Sequence, residues 1–183
     1  MAGTPRAEDI WLQLLALRCR RGDAEALAAL VREFQDRLLY YLRRLVDSED
    51  DAWDVLQQTR LGVFRGIRSM RDPERLVPWL YRIARNTAAR HLRHRLVDDG
   101  TQDDSIDLDT VEGPEDPPVA DGIAVHEELG TLSVAHREVL VLHFLEDLSV
   151  AEIAEIVGVP AGTVKSRLHY ARRRLRDALG EEA

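Results

Sequence analysis

The chain has 183 residues, 45% of them hydrophobic, and a formal charge of −8, which leaves room for one or two small domains with cores of their own. A single cysteine, Cys19, excludes an intramolecular disulfide and any cysteine-rich zinc site. No uncharged apolar run approaches the ~20 residues that span a bilayer, and residues 10–17 are too short for a signal peptide and follow Glu8 and Asp9, so the sequence reads as cytoplasmic.

Residues 8–21 read as a first helix whose apolar side is Ile10, Trp11, Leu14, Leu15 and Leu17. Cys19 lies among Arg18, Arg20 and Arg21. Those charges would lower its thiol pKa and open a redox role, although a helical cysteine without a partner is more often inert. Gly22-Asp23 breaks the helix and caps a longer one, which carries Leu27, Leu30, Val31, Phe34, Leu38, Tyr41, Leu42 and Leu45 at helical spacing. Its aromatic stripe is most simply core. Ser48 with Asp51 signals the next start. There Ala52, Val55, Leu56, Thr59, Val63 and Ile67 form the buried side, while Asp54, Gln57, Gln58, Leu61, Arg65 and Arg68 point away. A leucine set among amides and charges suits a protein interface better than open solvent.

Residues 66–77 contain Pro73, with Pro78 close behind, which predicts a loop holding at most one helical turn. Pro78 then opens a helix to about Arg95, with Leu80, Tyr81, Ala84, Ala88 and Leu92 inward and Trp79, Arg82, Ile83, Asn86, Arg90 and Arg93 outward. Ten arginines against two acids, Asp72 and Glu74, lie between residues 60 and 95. An aromatic and an amide on an arginine-rich face suit single-stranded or melted nucleic acid, since bases stack on rings and phosphates pair with guanidinium; the alternative places Trp79 in the core.

Residues 97–130 hold twelve acidic residues and no lysine or arginine. The 33 acids of the chain less these twelve leave 21 against 25 bases, so the acidity belongs to one segment. Up to about residue 122 it is also rich in proline, with Pro114, Pro117 and Pro118, and predicts a disordered or extended linker between two helical domains. The second domain begins near Ala124 and brings in Val139, Leu140, Leu142 and Leu145 as apolar positions. Residues 149–176 then give a helix-turn-helix. Ser149 with Glu152 makes a capping box, the helix runs to Val157, Gly158 ends it, and Pro160 suits the first position of the next.

On that second helix Val164, Leu168, Ala171, Leu175 and Leu179 share one apolar stripe. Gly162, Ser166, His169, Tyr170 and Arg173 lie opposite, flanked by Lys165, Arg172 and Arg176 on one edge and Arg167 and Arg174 on the other. Residues 160–176 carry six bases and no acid, whereas a merely solvated face mixes signs; this one predicts nucleic-acid binding. Early residues of such a helix reach base edges and later ones meet the backbone. That makes Lys165, Ser166 and His169 the candidate base readers, with Tyr170 beside them, and Arg172, Arg173 and Arg176 the candidate phosphate contacts.

There is no Gly-rich phosphate loop, no His-Glu-x-x-His and no Gly-x-Ser-x-Gly. His91 and His94 are three apart but fit a basic helix end better than a metal site. No enzyme activity, cofactor or metal is expected.

With these residues in place, the chain resembles the extracytoplasmic-function (ECF) sigma factors of the bacterial sigma-70 family over nearly its whole length. The run Asp51-Ala52-Trp53-Asp54-Val55-Leu56-Gln57-Gln58 is similar to their region 2.2 signature. Trp79-Leu80-Tyr81-Arg82-Ile83-Ala84-Arg85-Asn86 is similar to the start of their promoter-melting helix. His136-Arg137-Glu138-Val139-Leu140 through Leu175, with Gly158-Val159-Pro160 and Gly162-Thr163-Val164-Lys165-Ser166-Arg167, resembles their region 4. Trp53 and Gln58 stand where the family usually has acids, and Tyr170 where arginine is common.

The resemblance implies an all-α fold of two small helical domains. Region 2, about residues 8–96, would hold core RNA polymerase at its clamp coiled coil through Asp51, Asp54, Gln57, Gln58 and Leu61. It would open the −10 element with Arg68, Arg71, Trp79, Arg82, Asn86, Arg90 and Arg93. Region 4, about residues 124–180, would read the −35 element and meet the polymerase flap. The acidic linker (97–123) would thread the basic channels of polymerase or serve as a plain tether. An anti-sigma factor is an implied partner; insertion into a membrane is not. The rival reading, a conventional helix-turn-helix regulator, accounts for residues 149–176 but gives residues 48–95 no role.

Overall fold

The computed structural model describes residues 6–98 and 132–178. The acidic linker, the start of the second domain near Ala124, and Leu179 lie outside the described residues. Those that are described form seven α-helices and no strand. Helix α1 (Ala7–Arg20) is followed by a turn in which Gly22 takes φ +85°, and the Asp23 side chain then caps α2 (Ala24–Leu42) by accepting from the Glu25 and Ala26 amides. Leu45, expected on the end of α2, instead lies buried in the turn after it.

Ser48 caps α3 (Glu49–Gly66), and the anticipated inward set from Ala52 to Ile67 is buried throughout. Two short 3₁₀ turns follow, Ile67–Ser69 and Pro73–Arg75, one more than the prolines suggested. Asp72 caps the second, and Pro73 sits at its start, where a missing N–H removes no hydrogen bond. For the same reason α4 (Leu76–Asp98) begins two residues before Pro78 and runs three past Arg95. The first four amides of a helix have no partner within it, so proline at the third position costs nothing.

The described part of the C-terminal unit opens with α5 (Val134–Leu140), which widens into a π turn over Val141–Leu145. The wider turn changes which residues face inward. Leu145, expected in the core, is 57% exposed, and Glu146 is buried in its place. Next come α6 (Val150–Val157), with both halves of the Ser149–Glu152 capping box formed, and α7 (Ala161–Ala178). Gly158 closes α6 at φ +75°, a backbone that costs an L-residue with a Cβ about 1–2 kcal/mol. Pro160 precedes α7 as its cap rather than its first residue, its carbonyl accepting from the Thr163 and Val164 amides. Val164, Leu168 and Ala171 are buried and Leu175 half-buried, as the stripe required.

The two units pack together, α6 lying against α4, and their buried side chains form one cluster. Charged groups cross between them. Glu138 of α5 is fully buried and accepts from the Tyr41 hydroxyl (2.6 Å) and Arg85 Nε (3.0 Å). Burial and then the Glu138 charge push the Tyr41 hydroxyl well above its ordinary pKa, so it remains a donor. Glu146 accepts from both Nε and Nη2 of Arg37, the shorter contact being 2.6 Å.

Candidate nucleic-acid and polymerase interfaces

Helix α7 presents the expected face. Lys165, Ser166, His169, Tyr170, Arg172, Arg173 and Arg176 are all exposed, because the buried stripe fixes the helix by its opposite side. Lys165, Arg174 and Arg176 make no ion pair with any described residue. Arg173 approaches only Asp177, at 3.9 Å, with both side chains mostly in solvent; such a pair contributes about 0–1 kcal/mol.

Three side chains are less free than the sequence suggests. The Ser166 hydroxyl donates to the Gly162 carbonyl (3.0 Å), which leaves it an acceptor towards any ligand. Tyr170 packs its ring on His136 at the head of α5, centroids 4.6 Å apart. Arg172 stands over Phe144 of the π turn at 5.6 Å. Burial, then the nearby Arg167 charge, holds His136 below the usual histidine pKa, so Tyr170 rests on a neutral ring.

A second face belongs to α4 and the turns before it. Arg82, Asn86, Arg90 and Arg93 are exposed along one side of α4, a stripe of about 20 Å with Trp79 at its head. Trp79 is half-buried, so it answers partly to both readings of it. One edge of its ring lies on the end of α3, where a Cβ on Gly66 would stand 3.1 Å from the indole. Its ring also lines a cavity of about 410 Å³ with Ser69, Met70, Arg71, Asp72, Arg75, Pro78 and Arg82, closed on the far side by Glu155 and Ile156 of α6. Arg71, Trp79 and Arg82 therefore meet in one place. Arg68 is exposed as well, but its guanidinium lies beside the Gly22 turn and it does not line that cavity.

The third face is the outward side of α3. Asp54, Gln57, Gln58 and Leu61 are exposed together, and Phe64, 61% exposed, and Trp53 extend the apolar part. The sequence reading passed over Phe64, although it follows Leu61 by three residues and so shares its side of the helix. Asp51 is set apart from this group. Its carboxylate, 17% exposed, bonds His91 (2.8 Å), Arg95 (2.5 Å) and the Ser48 hydroxyl (2.6 Å). Burial raises its pKa, but the hydrogen bonds from Ser48 and His91 and the Arg95 charge prevail and hold it below the usual carboxylate range. His91 is thus committed to tying α4 to α3, and no cluster able to hold a metal occurs among the described residues. Cys19 is buried in α1; burial, then Asp23, raises its thiol pKa against the lowering by Arg18, reversing the direction expected from its arginine neighbours.

One unit thus exposes a helix-turn-helix whose second helix is basic, and the other an arginine-rich face with an indole at its head. Together they are the equipment of a nucleic-acid-binding protein. Residues 30–96 match the family model for sigma-70 region 2, and residues 123–175 that for sigma-70 region 4. The RNA polymerase sigma-H factor of Pseudomonas aeruginosa is 34% identical over 91% of this chain and 93% of its own length. The ECF RNA polymerase sigma-E factor of Haemophilus influenzae is 32% identical over 94% and 97%. Among solved structures, the sigma factor RpoE of Bartonella quintana, in complex with the anti-sigma factor NepR, superimposes with a TM-score of 0.65 at 25% identity, covering 85% of this chain and 99% of that one. CnrH in complex with the cytosolic domain of CnrY gives 0.64 at 24%, a likeness of fold. The chain belongs to the sigma-70 family, in its ECF group, and its function is that of an RNA polymerase sigma factor. No helix among the described residues is long and apolar enough to cross a membrane.

Proposed function

We propose that the three faces divide the work of promoter-specific initiation. The α3 face (Asp54, Gln57, Gln58 and Leu61, extended by Trp53 and Phe64) docks on the clamp coiled coil of core polymerase. Asp51 serves this face indirectly by fixing α3 against α4. The cavity rim and the α4 stripe, with Arg68, Arg71, Trp79, Arg82, Asn86, Arg90 and Arg93, take the opened −10 strand. Trp79 offers the exposed part of its indole to a base, and stacking of that kind is worth ~1–3 kcal/mol. Helix α7 reads the −35 duplex, its unit (about residues 124–180) meeting the flap and the other (about 8–96) the clamp.

The observation that carries this reading is the convergence of Arg71, Trp79 and Arg82 on one cavity at the head of an arginine stripe, since a duplex-binding regulator needs only α7. An anti-sigma factor is a further proposed partner, supported by the complex of the Bartonella quintana relative with its own.

The test combines purified chain with core polymerase, maps transcript starts, and probes the bubble with permanganate. Wild type should give discrete starts. Trp79→Ala should dock normally on promoter DNA yet lose permanganate reactivity, and normal reactivity in that variant would return Trp79 to a purely structural role. Asp54→Arg or Leu61→Glu should weaken competition for core while leaving helicity intact. Specific duplex binding without polymerase, and no starts with it, would overturn the proposal.

A further inference from the structure

Five polar contacts that cross between the two units are one-sided. In each of them the C-terminal unit supplies the acid and the N-terminal unit the cation or hydroxyl donor. Arg37 meets Glu146, Arg6 meets Asp147, Tyr41 and Arg85 meet Glu138, and Arg75 meets Glu155. The last pair lines the same cavity as Arg71, Trp79 and Arg82. Arg75 Nη2 and Glu155 Oε2 are 2.7 Å apart with both side chains about half exposed, and Ile156 on the same helix closes the far wall. A guanidinium beside an indole and two further arginines is the setting in which a strand phosphate is bound. Here an oxygen anion already lies on it, and that anion comes from the chain itself.

We propose that Arg75 is a further strand-binding residue of the −10 site, and that in the chain free of polymerase α6 lies over this site with Glu155 in the place of a nucleic-acid phosphate. This rests on the reading of the cavity as the strand site. Half-exposed ion pairs are weak and salt-screened, so the cover lifts when the units are drawn apart. The buried contacts of Glu138 and Glu146 set the alignment in which it closes. Opening therefore exposes Arg75, while the face of α7 is exposed in either arrangement.

A double-substitution cycle on the full chain tests this. The readout is fluorescence anisotropy of a labelled single-stranded DNA 12-mer of mixed sequence at low salt, without polymerase. Glu155→Gln should tighten binding about 2–5-fold, the range an exposed pair supports. Arg75→Gln should not tighten it, and adding Glu155→Gln to Arg75→Gln should then gain nothing. Equal tightening in both backgrounds would mean that Glu155 acts only through net charge and would overturn the proposal, as would no tightening in either. Holoenzyme carrying Arg75→Gln should form fewer open complexes than wild type while docking normally; normal opening would also overturn it. If wild type itself fails to initiate with core polymerase, it is the functional reading that falls; if wild type initiates but the cycle is additive, only the role of Arg75 and Glu155 falls.

Discussion

Replacing Arg173 and Lys165 separately should split affinity from specificity on α7. Arg173 is 75% exposed, and its only ion pair among the described residues is the long one to Asp177. Removing it therefore costs the fold little. If it neutralises one phosphate, its loss reduces the log–log salt slope by ~0.9, which over a fourfold rise in salt amounts to about 3.5-fold in affinity. That loss applies to every sequence alike. Lys165 lies one turn from the start of the helix, exposed and without an ion pair to any described residue. A base contact there is worth ~1–3 kcal/mol at one position, or roughly 5–150-fold in preference. The assay is selection of −35 sequences from a randomised library by holoenzymes carrying each variant, followed by binding of the winners across salt. Arg173→Ala should return the wild-type motif with a shallower slope, and Lys165→Ala a motif relaxed at one position. The same motif from wild type and Lys165→Ala, or a new motif from Arg173→Ala, would refute the division of roles.

Gly158→Ala should lower stability by about 1–2 kcal/mol in a denaturant titration, because its left-handed backbone penalises a Cβ even though open space surrounds it. Gly162→Ala, also in open space but with no such backbone, should leave stability unchanged or raise it by up to ~1 kcal/mol; equal losses at the two glycines would contradict this. His136, held below the usual histidine pKa by burial and then Arg167, favours the neutral form when folded. The unfolded chain thus binds the extra proton, and stability should fall as pH drops below about 6.5, levelling off beneath the folded pKa. His136→Asn should flatten that part of the profile, and a stability that rises on acidification through the window would show the sign to be wrong. Cys19, with its pKa raised mainly by burial, should resist iodoacetamide at neutral pH until denaturant is added. Rapid alkylation of the native chain would reopen a redox role.

Much of this was legible in the sequence because it depends on neighbours three or four residues apart. The stripe of α7 as far as Leu175, the inward set of α3, the cap at Ser48 and the Ser149–Glu152 capping box are helical periodicity and local hydrogen bonding, and they appear where the spacing put them. What could not be read depends on partners far along the chain. Glu138 lies within a run that reads as an ordinary helix, yet it is fully buried because Tyr41 and Arg85, 97 and 53 residues away, meet it across the two units. Glu146 exchanges places with Leu145 because the turn before it is wide, and no residue in 141–145 announces a π turn. Among the candidate site residues, exposure followed from periodicity. The withdrawal of Asp51 into ion pairs and the leaning of Tyr170 on His136 needed the packing of α4 and α5.

The contact between Gly66 and Trp79 carries a mechanical consequence. Helix α3 ends at Gly66, and the indole lies where a side chain on that residue would have to go. The helix proposed to grip polymerase therefore forms the floor under the ring proposed to receive a base. A slight tilt of its last turn is delivered directly to the indole, with no loop between to absorb it. Seating of the subunit and placement of the ring are in this sense one adjustment, made across a gap that admits a hydrogen atom and little more.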